Sequence, residues 1–137
     1  MKEAFKEVDK TLKESKIDAR YRYFLIFSFS GSTCVAVLMI KNKAFIANIG
    51  DSRCILITNN TCKQLTIDHK PSVLEEKVRI IGCGGVVSQA VISNGKRFGP
   101  KRVWMRDRTG PGLAMSRSIG DTAAKRIGVI SDPGNSI

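Results

Sequence analysis

Four short apolar segments, separated by polar turns, constrain the fold more than any other feature of this sequence. They are Cys34–Ile40, Ala44–Ile49, Cys54–Ile57 and Lys63–Ile67. Short apolar runs bounded by turn residues predict β-strands, and tight turns between successive runs predict an antiparallel meander. Because the runs lack regular polar alternation, we expect these strands to be covered on both faces.

A helix is predicted on each side of these strands. Residues 1–17 place apolar side chains at helical spacing opposite Lys and Glu; the apolar positions are Ala4, Phe5, Val8 and Leu12. Further on, Ser72 and Glu75 form the S-x-x-E pattern of a capping box, which predicts a helix start. The predicted buried stripe of this second helix is Leu74, Val78 and Ile81, and Gly82 is expected to end it.

The carboxyl-terminal half mixes strand and loop signals. Val86–Ile92 predicts a further strand, and Asn94-Gly95 predicts a turn after it. The basic segment Lys96–Arg108 is predicted to be a surface excursion, and periodicity alone assigns no element to Leu113–Ile130. Helices combined with antiparallel strands predict an α+β fold, and 137 residues predict one domain.

The composition is that of a globular, strongly basic protein. Hydrophobic residues make up 42% of the chain, and 23 Lys and Arg against 12 Asp and Glu give a net charge of +11. These values exclude a disordered chain, a collagen and a disulfide knot. Such an excess of positive charge is compatible with a nucleic acid, an anionic membrane surface or a phosphorylated partner, and charge alone does not choose among them.

Cysteine spacing and the amino terminus indicate an intracellular protein, cytoplasmic or nuclear. The four cysteines form no C-x-x-C pair, so we expect buried, reduced thiols and no zinc site. The charged amino terminus lacks the apolar core of a secretory signal. Tyr23–Ile40 is uncharged over 18 residues, but the polar stretch Ser28–Thr33 interrupts it, so we expect no membrane span.

Asp51 is the candidate metal ligand. It follows a predicted buried strand and Gly50, and Ser52-Arg53 lead directly into the next strand. A carboxylate held on such a rigid turn is a good ligand for a hard divalent cation. The alternative is that Asp51 caps the turn by accepting hydrogen bonds from backbone amides, as turn aspartates commonly do.

Two other residues invite catalytic roles that their surroundings do not support. Asp68 and His69 are neighbours on an extended segment, so their side chains point to opposite sides and we interpret His69 as structural. Ser116 lies between small residues, but the sequence has no G-x-S-x-G elbow around it. We therefore predict no catalytic nucleophile.

The segment Lys96–Arg108 interleaves basic residues with Phe98 and Trp104. This pattern is compatible with single-stranded nucleic acid, which stacks on aromatic rings, or with a phosphorylated peptide. It is equally compatible with a solvated loop whose aromatic rings pack on the core. A nucleic-acid interface would make association steeply dependent on salt.

Taken together in order, several sequence blocks resemble the central part of a metal-dependent protein serine/threonine phosphatase of type 2C, the PPM family. The matching blocks are Gly31-Ser32-Thr33, Ala47–Arg53, Leu65–Pro71, Glu76, Arg79-Ile80, Gly84–Val86, Arg102–Trp104, Pro111–Asp121, Gly128–Ile130 and Asp132-Pro133. The resemblance implies part of a four-layer α-β-β-α sandwich with antiparallel sheets. It also implies hydrolysis of phosphoserine and phosphothreonine with two Mg²⁺ or Mn²⁺ ions, which generate the attacking water.

The resemblance also implies an incomplete site. Within residues 1–137 the family's D-G-H-G-G segment and its later metal-binding segments have no counterpart, and only Asp51 matches a metal-associated position, that of a third, weakly held cation. We therefore expect a partial phosphatase domain that is inactive alone, with no catalytic residue assigned. The alternative is a non-catalytic pseudophosphatase-like module that binds a phosphorylated partner.

The resemblance implies that the partner is a phosphorylated protein substrate. It implies neither a nucleic acid nor a membrane as a partner. A sandwich that lacks strands exposes unpaired edges and apolar faces. A partner segment or a second copy completing the sandwich is therefore a further expectation.

Overall fold

The computed structural model describes residues 1–14 and 28–136, and it does not describe the side chains of 135–136. The helices in these residues are α1 (Lys2–Glu14), α2 (Leu74–Gly82) and α3 (Thr122–Lys125). The strands are β1 (Gly31–Ser32), β2 (Cys34–Ile40), β3 (Lys43–Ile49), β4 (Ile55–Ile57), β5 (Cys62–Gln64), β6 (Val86–Val91), β7 (Arg97–Trp104), β8 (Pro111–Leu113), β9 (Ile119–Gly120) and β10 (Gly134–Ser136).

The paired strands of the described residues are all antiparallel. Two three-stranded sheets have the orders β10-β3-β2 and β6-β7-β8, and the pairs β1-β9 and β4-β5 complete the set. The predicted α+β fold with antiparallel sheets is confirmed. The continuous meander is wrong in detail, because β3 pairs with β2 and β10 and not with β4. The four predicted strands thus form two separate hairpins.

Two apolar clusters form the core of the described residues. The first joins α2, β7 and the segment around α3 through Ile80, Val103, Ala124, Ile127 and Val129. The second places α1 on the sheet β10-β3-β2 and contains Phe5, Ala47 and Ile49. The core therefore lies where helices cover strands.

The first helix is confirmed, but the prediction of its buried residues is wrong for three of the four positions. It runs over Lys2–Glu14, and residues 15–17 of the predicted helix lie outside the described residues. Phe5 is buried, whereas Ala4, Val8 and Leu12 are exposed. A single aromatic side chain therefore anchors α1, and Asp9 adds a polar anchor by accepting a hydrogen bond from the Gly120 N–H at 2.8 Å.

The second helix also presents a different face to the core than predicted. It begins at Leu74, preceded by Val73, and no side chain caps its first turn, so the Ser72 capping box is wrong. Glu76 and Ile80 are buried. The predicted stripe is wrong as well, because Leu74, Val78 and Ile81 are exposed.

The outer strands differ from the prediction that both faces are covered. Residues 37–40 of β2 and all of β4 are exposed in the described structure; Met39 is 62% exposed and Ile57 is 70% exposed. No helix of the described residues is long and apolar enough to cross a membrane. Of the uncharged stretch Tyr23–Ile40, residues 23–27 lie outside the described residues and Cys34–Ile40 forms β2.

The predicted surface excursion Lys96–Arg108 is largely a strand. Its main part is β7, the central strand of the sheet β6-β7-β8. Val103 of this strand is fully buried, while Arg97–Lys101 are exposed. The basic composition conceals the strand, because Arg97 and Lys101 lie in its exposed part while the buried Val103 lies near its other end.

The four cysteines are free, as expected, but they are not all buried. Cys34 and Cys54 are half-buried, and Cys62 and Cys83 are exposed. The prediction of buried thiols is therefore wrong for the second pair.

Candidate functional site

A sharp turn after β3 presents Asp51 at the protein surface. Gly50 has φ +89°, a backbone conformation that favours glycine, and a Cβ there would lie 2.9 Å from Thr33 Cβ. The turn therefore depends on the missing side chain at position 50. It leaves the Asp51 side chain 26% exposed, so the carboxylate is accessible from solvent.

Lys70 is the partner of the Asp51 carboxylate. The Lys70 ammonium donates to Asp51 Oδ2. The segment that carries Lys70 is fixed against the turn, because the His69 N–H donates to the Gly50 carbonyl at 3.0 Å and the Gly50 N–H donates to His69 Nδ1 at 3.1 Å. The carboxylate proposed as a metal ligand thus already faces a positive charge.

His69 is a buried structural residue in this geometry. Its ring accepts the Gly50 N–H, and burial, reinforced by the positive charge of Arg117, lowers the pKa of His69. Asp68 does not orient it. The two Asp68 oxygens instead accept from Arg53 at 2.8 Å each, and this pairing lowers the pKa of Asp68.

A buried charged cluster lies beside this turn. We call it the Glu76 junction, and it consists of Glu76, Arg79, Ser116 and Arg117. The Arg79 guanidinium donates to both Glu76 oxygens, at 2.9 and 2.7 Å. Arg117 donates to Glu76 Oε1 at 2.6 Å, and the Ser116 hydroxyl donates to Oε2 at 2.5 Å.

The junction connects three separate parts of the chain. Arg79 also donates to the carbonyls of Gly128 and Ser116, and Arg117 donates to the carbonyl of Asp132. Burial alone would raise the pKa of Glu76, but the hydrogen bonds from Arg79, Arg117 and Ser116 outweigh it and hold the pKa far below its usual range. Glu76 is therefore ionised, and Ser116 is engaged as its donor.

The donor set around Asp51 does not fit a two-metal centre. In residues 1–14 and 28–136, no group of three or more His, Cys, Asp or Glu side chains is placed to hold a metal ion. A Mg²⁺ site usually combines one or two carboxylates with waters and substrate. Asp51 can supply one such oxygen, Oδ1, while its Oδ2 accepts from the Lys70 ammonium.

The basic segment presents its charges at one end of β7. Arg97, Phe98 and Lys101 are exposed, with Phe98 at 69%. Arg102 donates to the Gly112 carbonyl at 2.8 Å, and the Trp104 indole donates to the Ser88 carbonyl at 2.9 Å. The end near the turn is therefore available to a partner, whereas Arg102 and Trp104 hold the sheet together.

Sequence reasoning missed the two ionic contacts that shape the site. Lys70 lies 19 positions after Asp51, and Arg117 lies 41 positions after Glu76. One local signal was present, since Glu76 and Arg79 have the i, i+3 spacing of a helical ion pair.

Two kinds of comparison relate this chain to known sequences. The family model described as Protein phosphatase 2C matches residues 1–136. "Probable protein phosphatase 2C 12" of Oryza sativa subsp. japonica is 44% identical over 111 residues, which are 77% of this chain and 28% of that protein. "Probable protein phosphatase 2C 73" of Arabidopsis thaliana is 38% identical over 132 residues, which are 92% of this chain and 32% of that protein. The chain thus spans about a third of these relatives or less.

Solved structures agree with these matches. The crystal structure of a serine-threonine phosphatase 2C from Toxoplasma gondii matches with a TM-score of 0.76 and 26% identity, covering 98% of this chain and 43% of that one. A C. elegans sex determining protein matches with a TM-score of 0.62 and 22% identity, covering 96% of this chain and 34% of that one. The second likeness shows the fold alone.

Proposed function

Because this chain belongs to the protein phosphatase 2C family, we propose that it forms the central part of a domain that hydrolyses phosphoserine and phosphothreonine in proteins. The observation that carries the proposal is the family match over residues 1–136, which coincides with an antiparallel fold similar to a solved phosphatase. The chain spans 28% and 32% of the two relatives named above, so the activity of a whole enzyme is part of the proposal.

We propose that Asp51 contributes one oxygen to a Mg²⁺ or Mn²⁺ ion and that the other ligands come from outside residues 1–137. The accessible carboxylate on a rigid turn supports the first part. The lack of a three-ligand group in the described residues supports the second. The Asp51 position is that of a third, weakly held cation in the family; the paired ions, held by ligands outside residues 1–137, would supply the hydroxide nucleophile and stabilise charge on the phosphoryl oxygens.

The proposal predicts that the 137-residue protein is inactive alone. Hydrolysis of para-nitrophenyl phosphate in excess Mn²⁺ should stay at the rate of a blank that lacks protein. The informative variants are Asp51→Asn and its matched control Asp107→Asn, which changes an exposed aspartate elsewhere. A Mn²⁺-dependent rate that Asp51→Asn abolishes and Asp107→Asn preserves would show that this chain completes a metal centre, and the incomplete-domain proposal would fail.

A second candidate function is the capture of a phosphorylated partner without catalysis. The observation that favours it is the exposed basic end of β7, where Arg97 and Lys101 make no ion pair with the described residues. Guanidinium and ammonium groups bind phosphate through charge-assisted hydrogen bonds.

Titration with a phosphoserine peptide tests this second candidate. We expect the double variant Arg97→Ala/Lys101→Ala to weaken binding at least tenfold, and Lys63→Ala, an exposed lysine on β5, to leave it unchanged. Equal affinity in the double variant and the unsubstituted protein would exclude the surface. Equal binding of the unphosphorylated peptide would exclude phosphate recognition.

We also propose an intracellular location, cytoplasmic or nuclear. The four free cysteines support it, because two of them are exposed and would be oxidised readily in a secretory compartment. Fractionation of cells that express the full-length gene product tests this location, and recovery of the protein in the secreted fraction would contradict it.

A further inference from the structure

The hairpin formed by β6 and β7 extends beyond the core of the described structure. Every residue from 91 to 101 is exposed, and we call this stretch the hairpin tip. A Cβ added at Gly95 or at Gly99 would meet nothing within 4 Å, so no other part of the described chain packs on these two positions. The tip is therefore accessible to a partner from more than one direction.

Local hydrogen bonds hold the tip in a defined conformation. The Ile92 N–H donates to the Lys96 carbonyl at 3.0 Å, and the Gly95 N–H donates to the Ile92 carbonyl at 2.8 Å. Gly95 has φ +78°, a backbone conformation that favours glycine. At the base of the tip, the Gln89 side chain donates to the Gly99 carbonyl at 2.7 Å. The tip thus presents its side chains on an ordered turn.

Apolar side chains are exposed on both faces of the tip. Phe98 lies opposite Ala90, and Ile92 shares the face of Ala90 because alternate residues of a strand point to the same side. Val91 lies opposite Arg97 on the other face. Phe98 is 69% exposed, Val91 51% and Ile92 45%. A flat partner surface could cover one face only, whereas a fluid apolar medium covers both.

The charge of the tip is positive and uncompensated. Between Glu76 and Asp107 the sequence contains seven Lys and Arg and no Asp or Glu. Three of the seven, Lys96, Arg97 and Lys101, lie in the tip, and none of them takes part in an ion pair with the residues that the structure describes. Exposed apolar groups beside Lys and Arg are typical of segments that bind anionic lipid.

We propose that the hairpin tip docks on an anionic membrane surface. Its three apolar side chains enter the boundary between headgroups and acyl chains, and Lys96 and Arg97 contact the lipid phosphates. Such docking is peripheral and needs no membrane-spanning helix. The inference is independent of the proposed phosphatase activity, and it uses the same basic segment as the second candidate function.

Two other occupants fit the tip less well. A phosphopeptide that contacts Arg97 from one face leaves Phe98 and Ile92 in water on the other. Single-stranded nucleic acid stacks its bases on aromatic rings, and the tip offers one ring beside two aliphatic side chains. A lipid surface accounts for the apolar groups on both faces and for the positive charge together.

Co-sedimentation of the 137-residue protein with vesicles tests the proposal. Mixed vesicles of phosphatidylcholine and phosphatidylserine are compared with vesicles of phosphatidylcholine alone, at physiological ionic strength. We expect at least tenfold tighter binding to the mixed vesicles, because phosphatidylserine attracts the basic side chains. Equal binding to the two kinds of vesicle, or binding to neither, would overturn the proposal.

Matched serine variants separate insertion from attraction by net charge. Phe98→Ser keeps every charge of the tip, and we expect it to weaken binding to the mixed vesicles at least tenfold, because a large apolar group no longer leaves water. Ile57→Ser changes an apolar residue of β4 that is 70% exposed, and it should leave binding unchanged. Equal affinity of Phe98→Ser and the unsubstituted protein would show that charge alone holds the protein, and the proposal would fail.

Matched charge variants locate the basic contact. Lys96→Gln/Arg97→Gln should weaken binding to the mixed vesicles at least tenfold. Lys10→Gln/Lys63→Gln removes the same charge from exposed positions of α1 and β5, and it should weaken binding less than threefold. Equal losses in the two double variants would show that net charge, and not the tip, determines binding.

Phe98→Trp reports the surroundings of the tip directly and decides the matter if Phe98→Ser fails to fold. Its added indole should show blue-shifted emission with the mixed vesicles, relative to the unsubstituted protein, whose single tryptophan is Trp104. The same shift with soluble glycerol 3-phosphate would indicate phosphate binding without insertion and would refute docking. Binding of a phosphoserine peptide with no shift on vesicles would also refute it, and would assign the surface to the second candidate function.

Discussion

The Glu76 junction and the strands β2 and β4 differ in burial in the direction opposite to their polarity: the charged junction is buried, and much of the apolar strands is exposed. Glu76 is 2% exposed, while Ile57 of β4 is 70% exposed. The carboxylate is buried because two guanidinium groups and a hydroxyl compensate its charge. The apolar strands are exposed because no element of the described residues covers them. In this molecule a side chain is therefore buried where another group compensates or covers it, whatever its polarity.

The difference has a structural meaning for the proposed function. The junction ties α2 to the segments that precede and follow β9. Two of its residues, Glu76 and Arg117, line a cleft that His69 also lines. His69 in turn holds the Gly50 turn from which Asp51 projects. The rigid part of the molecule thus supports the candidate metal ligand. The exposed strands are the surface where we propose that a further segment or a second copy packs.

The largest effect is predicted for Glu76→Gln. It leaves the Arg79 and Arg117 guanidinium groups partly buried without a countercharge, and breaking a buried pair in this way costs about 3–5 kcal/mol. Urea denaturation at pH 7 measures the loss. Since the pKa of Glu76 is lowered in the folded state, its contribution is complete above the unfolded value of 4.5 and decreases only as the pH falls below it.

Glu75→Gln is the matched control for this prediction. Glu75 lies on the same helix but is exposed, so its replacement should change the free energy of unfolding by less than about 0.5 kcal/mol. Equal losses for the two variants would remove the contrast between the junction and the surface.

A smaller effect is predicted for Gly31→Ala, at the β1-β9 pair. The new Cβ would overlap Asp121 Oδ2 and lie 2.7 Å from the Ile119 carbonyl oxygen. Overpacking of this kind costs about 1–3 kcal/mol. The control Gly82→Ala has open space and a better helix former, so its thermal midpoint should stay the same or rise. A midpoint for Gly31→Ala that matches Gly82→Ala would show that β1 is not packed as described.

A pH-dependent effect is predicted for His69→Asn. Burial lowers the pKa of His69 in the folded protein below the value of 6.5 for a free side chain. The unfolded chain therefore takes up a proton first, and stability falls as the pH decreases through 6.5. Asn at this position keeps an acceptor for the Gly50 N–H but does not titrate. Urea midpoints between pH 7.5 and pH 5.5 should decline for the unsubstituted protein and stay nearly flat for the variant; parallel slopes would contradict the prediction.

The local pattern of apolar and polar residues predicted the positions of the strands well. It predicted poorly which side chains contact each other in the fold. Cys34–Ile40 was predicted with both of its ends, because a continuous apolar run between a polar break and a Lys-Asn-Lys turn has one simple interpretation. The buried face of α2 was not, because the stripe Leu74, Val78, Ile81 is the more apolar one. Of the groups that compensate the buried Glu76 carboxylate, only Arg79 is close in sequence; Ser116 and Arg117 are 40 and 41 positions away, and no local period carries that information.

The candidate site shows the same division. The turn at Gly50 and the prominence of Asp51 follow from neighbouring residues, so the sequence was sufficient to single them out. The ion pair with Lys70 and the cleft behind His69 arise only when residues 48–51 and 67–70 lie side by side. These contacts join segments that the sequence separates by 19 positions, and the tertiary fold alone brings them together.

The smallest effect is predicted for Ile81→Ala, on the exposed face of α2. Ile81 is half exposed and its neighbour Ile80 is fully buried, so the two positions form a matched pair of identical residues on one helix. Ile80→Ala should cost about 2–5 kcal/mol through lost packing and the cavity it leaves. Ile81→Ala should change the free energy of unfolding by less than about 0.5 kcal/mol, because little apolar surface is lost.

A loss of more than about 1 kcal/mol for Ile81→Ala, measured over a range of protein concentrations, would contradict the exposed face. If that loss grew with protein concentration, a second copy would be what covers α2 in solution; if it did not, the cover would belong to the same chain.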